Sequence, residues 1–290
     1  MTGILLVDKN QDWTSNDVVT KLRGILGERR IGHAGTLDPL ATGLLIIMLG
    51  RATKASDYLM KHDKRYIAQL RLGIQTDTQD VTGNVVGGIQ RDVTLEEVQK
   101  AVMGLTGVVQ QMPPMFSAIK RHGQKLYEIA RRGETVEREA RTITIYSLSV
   151  VGIEGKDYIL DISCSSGTYV RTICHDIGIM LGCGGCLSKL RRIESGTFTI
   201  GQAHTIRELA EADTETIGKW ILPVERAFLQ FESIIMGERE CKKLFCGAAV
   251  PVNAADGKYR VFSSDNTFLM LGQVQNGLLR KEIDFFEGDR

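Results

Sequence analysis

Gly32-His33-Ala34-Gly35-Thr36-Leu37-Asp38-Pro39-Leu40-Ala41-Thr42-Gly43 is the stretch on which the reading of this chain turns. Its glycines cost backbone entropy and suit places where the chain turns sharply or comes close to a ligand. Asp38 precedes a proline, whose fixed φ biases the aspartate toward an extended conformation and holds its carboxylate up from the loop. Asp-Pro is equally an ordinary turn dipeptide, so the residues alone make Asp38 a candidate and no more. The apolar run Leu44 to Leu49 follows at once and predicts a buried strand.

Upstream, Gly3 to Val7 reads as a short strand and Asp8 to Thr14 as a loop. Ser15 is the expected N-cap of a helix with Asp17 in its first turn, lined by Val18, Leu22, Ile25 and Leu26 and closed by Gly27. Downstream, a helix is expected over 52–59. Tyr66, Ala68, Leu70 and Leu72 alternate as in a half-buried strand. Thr94 and Glu97 form a capping box for a helix to about Met103. Pro113 and Pro114 predict an extended segment over 110–117. A short helix over 125–132, strands over 143–151 and 158–164, and a helix over 169–180 follow. A strand around Phe198 and Ile200 and a short helix over 206–210 complete this part. Beyond Phe231, Gly247, Gly257, Gly272 and Gly277 punctuate short β-type runs. The pattern predicts an α+β domain over 1–230 and a small β domain over 231–290.

The 290 residues suffice for one or two domains, and 43% apolar with 24% charged is ordinary for a soluble chain. No apolar run reaches the ~20 residues of a membrane helix, and no signal-peptide pattern opens the chain. A cytoplasmic protein is expected. Lys plus Arg number 36 against 35 Asp plus Glu, so global charge gives no reason to expect a polyanion partner. Locally, 120–141 holds seven Lys or Arg and four Glu, and Lys189, Arg191 and Arg192 cluster. Such clusters neutralise phosphates, although most charge runs are solvated faces. Six cysteines include the pair Cys183 and Cys186 at C-x-x-C spacing. A zinc site would need two more ligands, for which Cys241 and Cys246 are the candidates; separate thiols are the plainer reading, and no metal is expected.

The segment 32–43 resembles the signature of the TruB family of tRNA pseudouridine synthases, and the resemblance runs through several further blocks. It implies the pseudouridine synthase fold, a mixed sheet with flanking helices, and a C-terminal PUA-like RNA-binding domain. It implies isomerisation of uridine 55 in the tRNA T loop, without cofactor or metal, with Asp38 as the catalytic carboxylate. Lys64-Arg65-Tyr66 matches the family's K-x-Y block and assigns Tyr66 to stacking on the flipped base and to catalysis. Ser165 to Ile173 assigns Arg171 to pairing with Asp38, holding it ionised, and Tyr169 to lining the pocket. Leu190-Arg191-Arg192 matches an L-R-R block, implying Leu190 against the base and Arg191 and Arg192 on phosphate or structural carboxylates. Gly185-Cys186 stands where many relatives have Ala-His.

His33 is implied to fill the space left by the flipped nucleotide. Met112 to Lys120 matches P-P-x-x-S-A-x-K, and the following residues to about 141 resemble a thumb loop that closes over RNA. Lys120, Arg121, Lys125, Arg131 and Arg132 are its candidate phosphate contacts, with His122 and Tyr127 packing beside them. Lys9, Thr14 and Ser15 match the N-terminal K-P-x-G-x-T-S block, in which Asn10 and Asp12 replace proline and glycine, and are implied, with Gly35 and Pro39, to support the active-site loop. The expected partner is tRNA through its T-stem loop and possibly its acceptor stem, with no membrane, no obligate protein partner and a monomeric state. The rival readings are a non-catalytic tRNA-binding folding or assembly factor, and a glycosylase with a second essential carboxylate.

Overall fold

The computed structural model describes residues 1–121 and 123–286, so His122 and the end of the chain lie outside the described residues. A mixed sheet organises residues 1–230. Its strands are β1 (Gly3–Lys9), β2 (Ile31–Ala34), β3 (Thr42–Leu49), β4 (Lys64–Leu72), β5 (Gly107–Gln111), β6 (Arg141–Glu154), β7 (Asp157–Cys164) and β8 (Gly185–Ser195). From one edge the order is His204–Thr205, β1, β3, β8, β4, β7, β6, β5, with β2 laid along β3 and Phe198–Thr199 along β8. The helices Ser15–Leu26, Leu95–Met103 and Val170–Met180 contribute buried apolar faces to the core.

Strand β4 alternates as the sequence predicts, with Lys64, Tyr66, Ala68 and Leu70 buried. Strand β3 is buried over nearly its whole length because its two faces serve two cores. Leu45, Ile47 and Leu49 join the core beneath the helices. Leu44, Ile46 and Met48 face a second cluster that takes in Phe228, Leu271 and Phe285.

That second cluster joins the large sheet to the C-terminal one, a five-stranded sheet beginning at Glu232. Phe228 lies 5.2 Å from the ring of Tyr58 and 5.5 Å from that of Phe285. Asp284 accepts from Arg51 at 3.2 Å and Lys54 at 2.9 Å across the same junction.

Several sequence expectations are corrected. Thr14, not Ser15, caps the first helix in a reciprocal box with Asp17. Ser15 is buried and its hydroxyl is engaged elsewhere. The helix expected over 52–59 starts as a 3-10 turn, Gly50–Ala55, and becomes α-helical only over Ser56–Met60. The strand around Phe198 ends at Thr199, and Ile200 opens a 3-10 turn. The extended segment over 110–117 is a strand only to Gln111; beyond it, Ser117 N–H turns back onto the Met115 carbonyl at 3.0 Å. Strand β8, between β3 and β4 in the sheet, was not anticipated at all.

Candidate active site

The Asp38 loop is held from below by the N-terminal residues. Ser15 Oγ donates to the Leu37 carbonyl at 3.2 Å and accepts the Leu37 N–H at 2.9 Å. The Pro39 carbonyl accepts from Asp12 N–H at 2.8 Å and from Lys9 Nζ at 3.3 Å. Lys9 also donates to the carbonyls of Asn10 and Trp13, and burial pulls its ammonium down to about 8. Asp12 sits at φ 66° in the left-handed region. Aspartate is among the few non-glycine residues enriched there, so the turn survives the replacement of glycine. Ala41 N–H closes the loop onto the Asp38 carbonyl at 3.0 Å.

Where the loop runs into β3, its strand lies parallel to β8, with Arg192 opposite Gly43. A Cβ at Gly43 would come within 2.3 Å of the Arg192 carbonyl, and φ there is +97°. Glycine is therefore required by contact as well as by conformation.

Arg171, 6% exposed, organises the site from the first turn of Val170–Met180. Its Nε lies 2.9 Å from Asp38 Oδ2. One terminal nitrogen donates to the Thr78 carbonyl at 3.0 Å and lies 3.6 Å from Asp80 Oδ2. The other donates to the Phe116 carbonyl at 2.9 Å. The guanidinium thus fixes a carboxylate on one side while three further groups, the Thr78 and Phe116 carbonyls and the Asp80 carboxylate, fix the guanidinium. Asp80 is the member that sequence reasoning missed. It is buried in a threonine-rich turn, accepting from Thr78 Oγ1 at 2.9 Å and from Thr82 N–H at 3.0 Å. The acidic residue between two threonines was the available signal.

A simple pair with Arg171 predicts a depressed Asp38 carboxyl. The net direction is the opposite. Desolvation pushes it up, Arg171 opposes this, and the second carboxylate of Asp80 adds to the upward shift. The Asp38 side chain is nevertheless 42% exposed, so it is reachable from outside. The same charge bears on two phenols. Tyr66 and Tyr169 are raised chiefly by burial, and Asp38 contributes to both.

Tyr66 lies on β4 between Ile162 of β7 and Arg192 of β8. Leu190, also buried, shares its core cluster, and its carbonyl accepts from Thr42 Oγ1 at 3.3 Å. His33 is on β2, opposite Ile47; burial first and Arg192 second depress its imidazole, which favours the neutral ring. Arg192, expected on phosphate or a structural carboxylate, is corrected to a partner of backbone carbonyls. It is 1% exposed and donates to the carbonyls of Leu44 at 2.7 Å and Gly35 at 2.8 Å, bracing the loop from inside. Arg191 pairs with a structural carboxylate, Asp8, at 2.6 Å and 3.0 Å.

The basic candidates Lys120, Arg121, Lys125, Arg131 and Arg132 stand on a two-stranded hairpin (Lys120–Arg121 with Gln124–Lys125) and the short helix Leu126–Arg131. Lys125 and Arg131 flank the Tyr127 ring, each 5.4 Å from its centre. Arg132 is paired with Glu134 at 2.7 Å. Cys183 and Cys186 are both buried, and Cys246 is exposed. Among the described residues no group of three or more His, Cys, Asp or Glu is placed to hold a metal. No helix among them is long and apolar enough to cross a membrane.

Residues 23–170 match the model of the TruB family pseudouridylate synthase N-terminal domain, just over half of the chain. The chain belongs to the TruB family of pseudouridylate synthases. It is accordingly a pseudouridine-forming isomerase. Residues 171–229 match the tRNA pseudouridylate synthase B C-terminal domain. The curated tRNA pseudouridine synthase B of Clostridium kluyveri is 39% identical over 278 residues, covering 94% of this chain and 95% of that protein. The one from Neisseria meningitidis serogroup A is 38% identical, covering 97% and 92%. Among solved structures, an H/ACA RNP bound to a substrate RNA containing 2′-deoxyuridine superposes with a TM-score of 0.76 at 22% identity, over 98% of this chain and 85% of that one. That likeness is one of fold and extends across both sheets.

Proposed function

We propose that this TruB-family chain converts uridine 55 of the tRNA T loop to pseudouridine, with Asp38 as the catalytic carboxylate. The observation that carries the reading is the Asp38–Arg171 contact at 2.9 Å, on a loop braced from several directions and with a second buried carboxylate behind the arginine. Cleaving the C1′–N1 bond builds positive charge on the ribose and negative charge on uracil. The Asp38 carboxylate stabilises or traps the sugar, or removes its C2′ proton; C1′ then bonds to C5, the C5 proton is lost and N1 gains one, which leaves the atom count unchanged. The product is an isomer of the substrate, so the reaction consumes no cofactor. Asp80 does not serve as a glycosidase partner in this reading, because its carboxylate is buried and committed to Arg171 and the threonine turn.

Tyr66 stacks on the extruded base, Leu190 and Tyr169 wall the pocket, and His33 fills the vacated stack, offsetting part of the few kcal/mol that base flipping costs. Lys120, Arg121, Lys125, Arg131 and Arg132 meet the phosphates, Arg132 after exchanging Glu134 for RNA. Residues 231–286 form a PUA-like module reaching toward the acceptor stem. A tRNA substrate agrees with a cytoplasmic location and with action by a monomer.

Unmodified tRNA incubated with pure protein and no added cofactor should gain one pseudouridine, at position 55, with no free uracil. Modification at another position would overturn the site assignment. Released uracil would indicate a glycosylase, and RNA bound but left unchanged would indicate a binding factor.

A further inference from the structure

Gln111 is the last residue of β5, where the chain leaves the sheet for the thumb, and the thumb returns beside it, since Arg141 is its partner on β6. Its side chain is buried, with only 5% of the residue exposed. The carboxamide makes two hydrogen bonds to one backbone unit. Gln111 Nε2 donates to the Tyr169 carbonyl at 3.0 Å, and Gln111 Oε1 accepts the Tyr169 N–H at 2.8 Å. Tyr169 is the N-cap of Val170–Met180 and has no side-chain cap of its own. Gln111 therefore fixes the entry of the helix that carries Arg171. Five residues further into the thumb root, the Phe116 carbonyl accepts from the Arg171 guanidinium at 2.9 Å. The root of the thumb is joined to the start of this helix twice, once at the Tyr169 backbone and once at the Arg171 guanidinium.

We infer that Gln111 is a positioning residue that couples the seating of the thumb root to the placement of Arg171, and through it Asp38, so that the pair already formed at 2.9 Å stays in register when RNA is bound. The inference rests on the proposed catalytic role of Asp38. A carboxamide is the side chain that offers a donor and an acceptor at this length. Methionine is close in shape and offers neither. Glutamate keeps the acceptor for the Tyr169 N–H and sets a second oxygen against the Tyr169 carbonyl, unless it is protonated. Small displacements of a catalytic group cost turnover more than affinity.

The test compares wild type, Gln111→Met and Gln111→Glu on a T-stem-loop RNA, with thermal melting to establish folding. Gln111→Met should lose kcat by about 10- to 100-fold, with RNA affinity within a few-fold of wild type. The activity of Gln111→Glu, divided by that of wild type at each pH, should rise as pH falls and the new carboxyl gains the missing proton. The ratio cancels the titration of Asp38, which both proteins share. A folded Gln111→Met with wild-type kcat, or one that loses affinity and kcat in equal measure, overturns the coupling. If the methionine variant does not fold, a Gln111→Glu ratio that is flat with pH overturns it instead. Failure of the wild type itself to form pseudouridine would sink the catalytic reading and is separate from either result.

Discussion

The Asp38 loop and the thumb are both irregular segments leaving the same sheet, and they are held in opposite ways. The loop rests on buried, mostly backbone-directed bonds: Ser15 on Leu37, Lys9 and Asp12 on Pro39, Arg192 on Gly35 and Leu44. The thumb, beyond its root, buries the side chains of Leu126 and Ile129, and its charged residues are held by exposed pairs such as Arg132 with Glu134 and by cations flanking Tyr127. A buried group that loses its partner pays a full desolvation cost, whereas an exposed ion pair is worth ~0–1 kcal/mol. The contrast suits a rigid reaction centre served by a clamp that can rearrange around a bulky substrate.

The largest effect should come from Arg171→Ala. It leaves Asp80 buried without its cation and should cost about 3–5 kcal/mol of stability, measured by denaturant unfolding, together with nearly all turnover. An unchanged unfolding midpoint would remove Arg171 from the centre of the rigid half. Ser15→Ala strips the Leu37 N–H of its partner and should cost about 1–3 kcal/mol. Its turnover should fall although Ser15 touches no substrate. A variant that loses neither would show the loop to be braced by other means.

Acid pH sharpens the comparison further. Burial raises the Asp38 carboxyl, so its active, ionised form is lost at a higher pH than for an ordinary carboxylate as the solution is acidified. The acid limb of single-turnover rate should therefore lie above the usual aspartate range, while tRNA affinity over the same interval changes less. The linked stability has the matching sign. A raised folded-state value means that ionising Asp38 works against folding as pH rises through the window between unfolded and folded values. The smallest effects belong to the thumb. Lys120→Ala and Lys125→Ala should each reduce the slope of log affinity against log salt by about one, leaving kcat at saturating RNA and the melting temperature near wild type. A lost fold in either would contradict the weakly held clamp.

Much of this arrangement was legible in the chain. Reciprocal capping of Leu95–Met103 by Thr94 and Glu97, the left-handed stop at Gly27, and the alternation of β4 all follow local rules. Strand β8 was not legible, because Ser188, Lys189, Arg191 and Arg192 break its apolar pattern and register shifts interrupt its pairing with β4. The burial of Arg192 has the same origin. An arginine reads as a surface cation until tertiary structure supplies internal carbonyls for it. Resemblance, not periodicity, brought Asp38 and Arg171 together, and Asp80 became visible only when the threonine turn closed behind them.

The most direct test of the account is pseudouridine formation by Asp38→Asn alongside wild type, with tRNA affinity and melting temperature measured on the same preparations. The substitution removes the charge and keeps the shape. The account predicts no detectable product, with RNA affinity and melting temperature near those of wild type. Substantial pseudouridine from the purified Asn variant would contradict it.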